Sequence, residues 1–173
     1  MSLADITFLP EDPAHDAEID AINAEAFGPG RFARAAYKIR EGGPHERALS
    51  FVALDGGAVI ASVRLTRIAA GEGRALLLGP LAVRPAYKNK GIGKKLVRIA
   101  MDAARQAGAG LVILVGDEPY YGPLGFTRIP RGQIAMPRPV DPDRLLAVEL
   151  KEGALAAMKG DVVHAGLSRG CHS

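Results

Sequence analysis

The sequence predicts an α/β (α+β) domain, a mixed β-sheet flanked by helices. At its centre is an apolar run (Leu76, Leu77, Leu78, Leu81, Val83), then a helical pattern from Ile92, then a second apolar run over 111–115. A strand, a helix and a further strand in that order pair in parallel through a right-handed crossover. Earlier, residues 49–54 and 58–68 flank Asp55-Gly56-Gly57, a tight-turn signal that predicts an antiparallel hairpin. Gly79-Pro80 falls inside the central run. Proline cannot donate to a strand ladder, so a bulge or a parting of the sheet is expected there.

The elements follow in order. Residues 6–9 read as a first short strand. Asp12 and Pro13 supply the N-cap and first position of a helix whose buried face is Ile19, Ile22 and Ala26, and Gly28-Pro29-Gly30 ends it. A second helix is expected over 31–40, with Phe32, Ala35, Ala36 and Ile39 inward, before Gly42-Gly43-Pro44 breaks the chain. In the strand over 58–68, Val59, Ala61, Val63 and Leu65 alternate with Ile60, Ser62, Arg64 and Thr66. That places Arg64 on the more polar face, as a solvated or ion-paired side chain. Residues 69–73 read as a turn, and the central strand runs over 74–83.

The central helix follows over 92–106. Its apolar stripe is Ile92, Leu96, Ile99, Ala100, Ala103 and Ala107, with Lys94, Lys95, Arg98, Asp102 and Arg105 opposite, and Gly108 stops it. The run over 111–115 has no polar alternation, as expected of a strand buried on both faces. A short helical turn over 120–124, a strand over 145–150 and a turn over 154–158 complete the reading. The tail, 167–173, is small and polar and is expected to be flexible.

Composition narrows the function classes. A chain of 173 residues has room for one well-filled core, and 1–173 reads as a single domain. A net charge of +3 suits a small anionic ligand. Few aromatics and no Trp argue against nucleic acid as a partner. The single cysteine, Cys171, leaves no intrachain disulfide and no cysteine-based metal site. His15, His45, His164 and His172 are scattered, so no metal is expected. No apolar run approaches a membrane span, and residues 1–17 lack a signal-peptide pattern; a cytoplasmic protein with no membrane partner is the expectation.

The stretch between central strand and central helix carries the chemistry. Lys88-Asn89-Lys90-Gly91-Ile92-Gly93 opens a helix whose first N–H groups have no partner within it and whose dipole is positive at that end. Gly91 and Gly93 present no Cβ, and Lys88, Lys90, Lys94 and Lys95 add positive charge. The stretch is built like a phosphate or pyrophosphate site. It has neither G-x-x-x-x-G-K-[ST] nor G-x-G-x-x-G spacing, so the common nucleotide loops are not its model. If the strands ending at Val83 and Val115 part at Gly79-Pro80, the unpaired backbone groups of Leu81 and Val83 face the slot and need partners.

Leu81-Ala82-Val83-Arg84-Pro85 followed by Lys88-x-x-Gly91-x-Gly93 resembles the acetyl-CoA-binding signature of the GNAT superfamily of N-acetyltransferases, with Lys88 where that signature has Gln or Arg. Tyr121-Gly122-Pro123-Leu124-Gly125-Phe126 resembles the family's later Tyr-x-x-x-Gly-Phe motif. The likeness is specific over about 74–126, and element order alone extends it further. It implies a GNAT-type mixed sheet with splayed central parallel strands. It implies acetyl-CoA as co-substrate, its pantetheine arm on Leu81, Ala82 and Val83 and its pyrophosphate on Lys88, Asn89, Lys90, Gly91, Ile92, Gly93 and Lys94. Tyr121 takes the position of the proton donor to the departing sulfur, and Tyr120 that of a pocket wall.

The implied reaction is acetyl transfer to a primary amine by direct attack in a ternary complex. The acceptor, a small molecule or a peptide, would enter between the N-terminal helices, the loop after Gly28 and the later strands. No nucleophile beside a histidine stands out, which agrees with direct transfer. The general base is open: Asp117 and Glu118 lie near the strand end, Asp117 reads first as an N-cap, and a water chain serves as well. Two alternatives stay open. One is a non-catalytic coenzyme A-binding sensor or scaffold, with Tyr121 packing and its hydroxyl bonded to backbone; the other is a phosphate- or nucleic-acid-binding module using Lys88–Lys95. Many GNAT proteins pair, so a homodimer is compatible, although no face of the sequence specifies one.

Overall fold

The structure is a computed structural model, and it describes residues 5–30 and 34–166. The expected hairpins and crossover form one mixed sheet in the order β1-β2-β3-β4-β5-β8-β6. Strands β1 (Ile6–Pro10), β2 (Phe51–Asp55), β3 (Ala58–Gly71) and β4 (Gly73–Val83) are antiparallel neighbours. β4 pairs in parallel with β5 (Leu111–Val115) through α3 (Ile92–Gln106), and β8 (Leu145–Glu149) lies antiparallel on β5. β6 (Thr127–Arg128) closes that edge, while β7 (Ile134–Ala135) and β9 (Met158–His164) pair with each other, β9 also lying on the far half of β3.

The sheet is covered on both faces. On one, Leu96, Val97, Ala100 and Met101 of α3 pack on Ala61, Val63, Leu65, Leu76, Leu78, Val112 and Leu114. On the other, Ile19 and Ile22 of α1 (Asp16–Phe27) cover Val52, Val59 and Ala82. Ile39 of α2 (Ala35–Arg40) joins Ile68, Leu77, Leu111 and Ile113 there. The split within each central strand is the period of two made visible.

Several expectations are corrected. Asp12 and Pro13 open a 3-10 turn, Pro13–His15, closed by a reciprocal cap between Asp12 and His15, and α1 follows it. Asn23, not Ala26, completes the buried face of α1. α2 begins at Ala35; Phe32 and the start of the expected helix lie outside the described residues, as does the tail 167–173. α3 has the expected bounds but is rotated: Val97, Met101 and Ala104 are buried where Ile99, Ala103 and Ala107 were expected. The helix lies across a twisted sheet, so its contact stripe is broad, and the apolar residues on its edge are only half covered. β3 and β4 run on through 69–73 into a tight hairpin, and β6, β7 and β9 were not read from the sequence at all. β3 is buried on both faces, so Ser62, Arg64 and Thr66 are interior, not on a wet face.

Candidate active site

The parallel pairing of β4 and β5 is short. It joins Leu76 to Val112 and Leu77 to Ile113. Beyond that point β4 stays on β3 as far as Val83, and β5 stays on β8 as far as Val115. The divergence begins at Gly79-Pro80. There Val63 pairs with Leu81 and Leu65 with Leu78, so β4 carries one more residue than β3. This is the expected bulge, and it frees the end of β4 from β5. The Arg84 N–H donates to the Ile60 carbonyl at 2.9 Å. Strand alternation therefore turns the N–H and C=O groups of Leu81 and Val83 away from β3, toward the opening. A cleft of about 620 Å³ occupies the gap, bordered by Leu81, Lys88, Tyr120 and Tyr121 together with Phe27 and Ala35.

The glycine turn follows Lys88, which borders the cleft. Asn89 (φ 63°) and Gly91 (φ 82°) are left-handed, Gly91 is the N-cap of α3, and no side chain caps the helix. The first N–H groups of α3 thus have no side-chain cap. The two glycines do different work. Nothing lies within 4 Å of a Cβ built on Gly91, so its need for glycine is conformational. A Cβ on Gly93 would stand 2.7 Å from the Tyr120 hydroxyl and 3.5 Å from Val83 Cγ2, so its need is steric and internal.

The other expected ligand contacts also separate. Lys88, Asn89 and Lys90 are exposed, and only Lys88 borders the cleft. Ile92 is buried in the core, leaving its backbone alone for a ligand. Lys94 sits over the Tyr120 ring at 5.2 Å, and Lys95 over Phe8 at 4.6 Å. Ala82 turns its side chain to α1, on the opposite face from α3.

Tyr121 ends α4 (Glu118–Tyr121), the short helix after β5. Its ring meets Tyr120 edge-on at 4.7 Å and Phe126 at 5.9 Å. It also packs against Gly116, where a Cβ would come within 2.4 Å of the ring. Burial, with Tyr120 and Asp117 nearby, pushes the Tyr121 phenol up to about 12. Burial also raises Tyr120. Among the described residues the Tyr121 hydroxyl bonds no protein group, unlike the backbone-bonded packing residue of the alternative reading.

Asp117 stands at the N-cap position of α4, but its side chain makes no cap; it pairs with Arg144 Nε at 3.2 Å. Glu118 pairs with Arg128 at 3.1 Å. Arg64 does not reach the cleft. It is buried beside Glu11 and reaches the partly exposed Asp16, each 3.2 Å from Nη2, and His45 and Arg47 complete that cluster. Burial would raise the Glu11 carboxyl, but hydrogen bonds from His45 and Arg64 bring it below its ordinary value. His15 caps at Asp12, and His164 bonds the Pro44 carbonyl at 2.8 Å. Among the described residues no group of His, Cys, Asp and Glu forms a metal-binding cluster, and no helix is long and apolar enough to cross a membrane.

Sequence reasoning missed three charged residues at the cleft, Arg34, Asp141 and Arg144. Arg34 fell within an expected helix but not on its inward face, and Asp141 and Arg144 belong to a capped 3-10 turn, Pro142–Arg144, that was not read from the sequence. Gly116 offered a signal in retrospect: a glycine at the end of an apolar strand marks a close approach, here by the Tyr121 ring.

Residues 16–126 match the model of the Acetyltransferase (GNAT) family, and the chain belongs to that family. It is 30% identical over 130 residues to the Uncharacterized N-acetyltransferase YjhQ of Escherichia coli (strain K12), covering 73% of this chain and 72% of that protein. The GNAT family N-acetyltransferase YhbS of Escherichia coli, solved in complex with CoA, superposes with a TM-score of 0.77 at 24% identity, over 92% of this chain and 89% of that one. A GNAT family acetyltransferase from Brucella melitensis, solved in complex with acetyl-CoA, gives 0.67 at 26% identity, over 92% and 95%.

Proposed function

We propose that the protein transfers an acetyl group from acetyl-CoA to a primary amine by direct attack in a ternary complex. The observation that carries this reading is the parting of β4 from β5 with Tyr121 on its wall. The backbone groups of Leu81 and Val83 are the partners for the amide-rich pantetheine arm. The N–H groups at Asn89–Lys94 are those for the pyrophosphate, with Lys88 and Lys90 adding charge. The likeness to the Brucella melitensis enzyme, solved with acetyl-CoA, supports the same co-substrate here.

The amine nitrogen attacks the thioester carbonyl, the tetrahedral intermediate collapses, the C–S bond breaks, and the proton lost by nitrogen ends on sulfur. The Val83 N–H, turned into the gap, is suited to the oxyanion. Tyr121 is suited to the sulfur. At about 12 its phenol keeps its proton at any ordinary pH. A thiol ionises near about 8.5, so outright donation from this phenol is uphill. Tyr121 therefore acts as a hydrogen-bond donor to the sulfur as charge develops, and passes on a proton only as it receives the one leaving the amine. Attack makes the nitrogen acidic, so water at the cleft mouth, or Asp117, suffices to start that transfer. Most of the rate enhancement comes from holding amine and thioester together. A single cysteine and an acetyl-CoA co-substrate fit a cytoplasmic protein.

The test is calorimetric titration with acetyl-CoA and with coenzyme A, followed by thiol release on adding amines. Binding together with amine-dependent thiol release supports the transferase. Binding without thiol release from any amine leaves the sensor. No binding at all overturns both.

A further inference from the structure

The cleft that Leu81, Lys88 and Tyr121 border is also bordered by Arg34, Asp117 and Arg144. Arg34 stacks its guanidinium on the Phe27 ring, 4.3 Å from the centroid. Among the described residues no carboxylate pairs with it. Arg144 faces the same space, with its Nε held by Asp117 at 3.2 Å. Arg34 is exposed at the cleft wall, and partial loss of water there, then the neighbouring Arg144, hold its guanidinium below the ordinary arginine value. Arg34, Arg144 and Tyr121 border the same cleft.

A cation partly stripped of water, without a counter-ion and beside a second cation, is disfavoured until an anion joins it. The planar fork of a guanidinium matches carboxylate or phosphate oxygens two at a time. Phe27 fixes the plane of that fork and shields one of its faces. Asp117 supplies the opposite sign a short distance away, where an incoming ammonium can dock before it loses its proton.

We propose that the acceptor is a small amine that also carries an anionic group, a carboxylate or a phosphate, which Arg34 grips at the cleft mouth with Arg144 beside it. The amine half of this statement rests on the transferase reading above; the anion site is a statement about binding and is testable without turnover. The pair sets the distance between anion and amine, because Arg34 is anchored on Phe27 while the amine must reach the thioester beside Tyr121.

The test uses the full chain saturated with coenzyme A. Calorimetry measures binding of N-acetylated glycine, leucine and glutamate, of their carboxamides, and of N-acetylated phosphoethanolamine. At least one anionic ligand is expected to bind about tenfold tighter than its neutral counterpart, the carboxylate and phosphate arms distinguishing the two anions. Arg34→Ala should remove that preference, and Arg34→Lys should restore part of it. In turnover the loss should appear in KM for the anionic amine, with little change in kcat. Equal binding of every acid and its amide by the unmodified protein would overturn the proposal, as would a preference that survives Arg34→Ala. Absence of thiol release with every amine overturns the transferase reading instead, and leaves the binding result standing on its own.

Discussion

The two halves of β4 behave differently. The first half, through Leu77, is stitched on both sides, to β3 and to β5. The second half, from Leu78 to Val83, is stitched to β3 alone. Both halves are apolar and both pack on α3. What separates them is one extra residue at Gly79-Pro80. Hydrogen bonds left unmade in the second half are what give it a ligand surface, while those made in the first half hold the sheet closed behind it. Arg64 is the β3 residue opposite the bulge, and its buried pairing with Glu11, joined by the partly exposed Asp16, supports the place where the two halves meet.

That contrast can be broken from either side. The largest effect is expected from Gly91→Glu. A left-handed glutamate strains the turn by about 1–2 kcal/mol and puts a negative charge where the pyrophosphate is expected, so acetyl-CoA binding by calorimetry should vanish. Gly91→Ala carries the strain without the charge and should weaken binding far less. Next is Leu76→Ala in the closed half, which leaves a cavity under α3. It should lower unfolding free energy by about 2–5 kcal/mol in denaturant titration, with little change in acetyl-CoA affinity.

Tyr121→Phe keeps the packing on Phe126 and Gly116 but removes the hydroxyl. Turnover should fall about 100-fold with acetyl-CoA affinity unchanged. The pH profile sharpens the same assignment. Tyr121 works protonated, so with a phenol at about 12 activity should rise with pH as the amine deprotonates and show no descending limb from Tyr121 up to about pH 10. The smallest effect concerns the support under the bulge. The Glu11 carboxyl is lowered in the fold, so its contribution to stability is present above the ordinary value of 4.5 and is lost as pH falls through the lowered one. Denaturation followed from pH 6 to pH 3 should show that loss, and Glu11→Gln should flatten it.

Much of the frame was legible because it rests on local rules. Asp55-Gly56-Gly57 turns the chain by itself, Gly91 and the pattern after it start α3 at the expected residue, and Gly79-Pro80 announced the bulge without any partner strand being known. The motif around Gly91 and the Tyr121 motif were likewise found as short contiguous strings. What escaped was whatever depended on a distant segment. β9 has ordinary strand residues, but nothing local says that it lies on the far half of β3. Arg64 read as a residue of the more polar face because alternation cannot tell that α1 and its preceding turn bring Glu11 and Asp16 over it. Arg34 and Arg144 come from opposite ends of the chain, so their approach across the cleft has no signature in either neighbourhood.

By itself the sequence determined the alternation of strands and helices, the parallel crossover, the bulge and the glycine-capped start of α3, because each follows from backbone sterics or a short periodicity. Only the tertiary structure decided which face of α3 is buried, which charges are interior, and which lie around the cleft mouth. Those depend on packing and charge compensation between residues far apart in sequence, and such energies exist only once the chain has closed on itself.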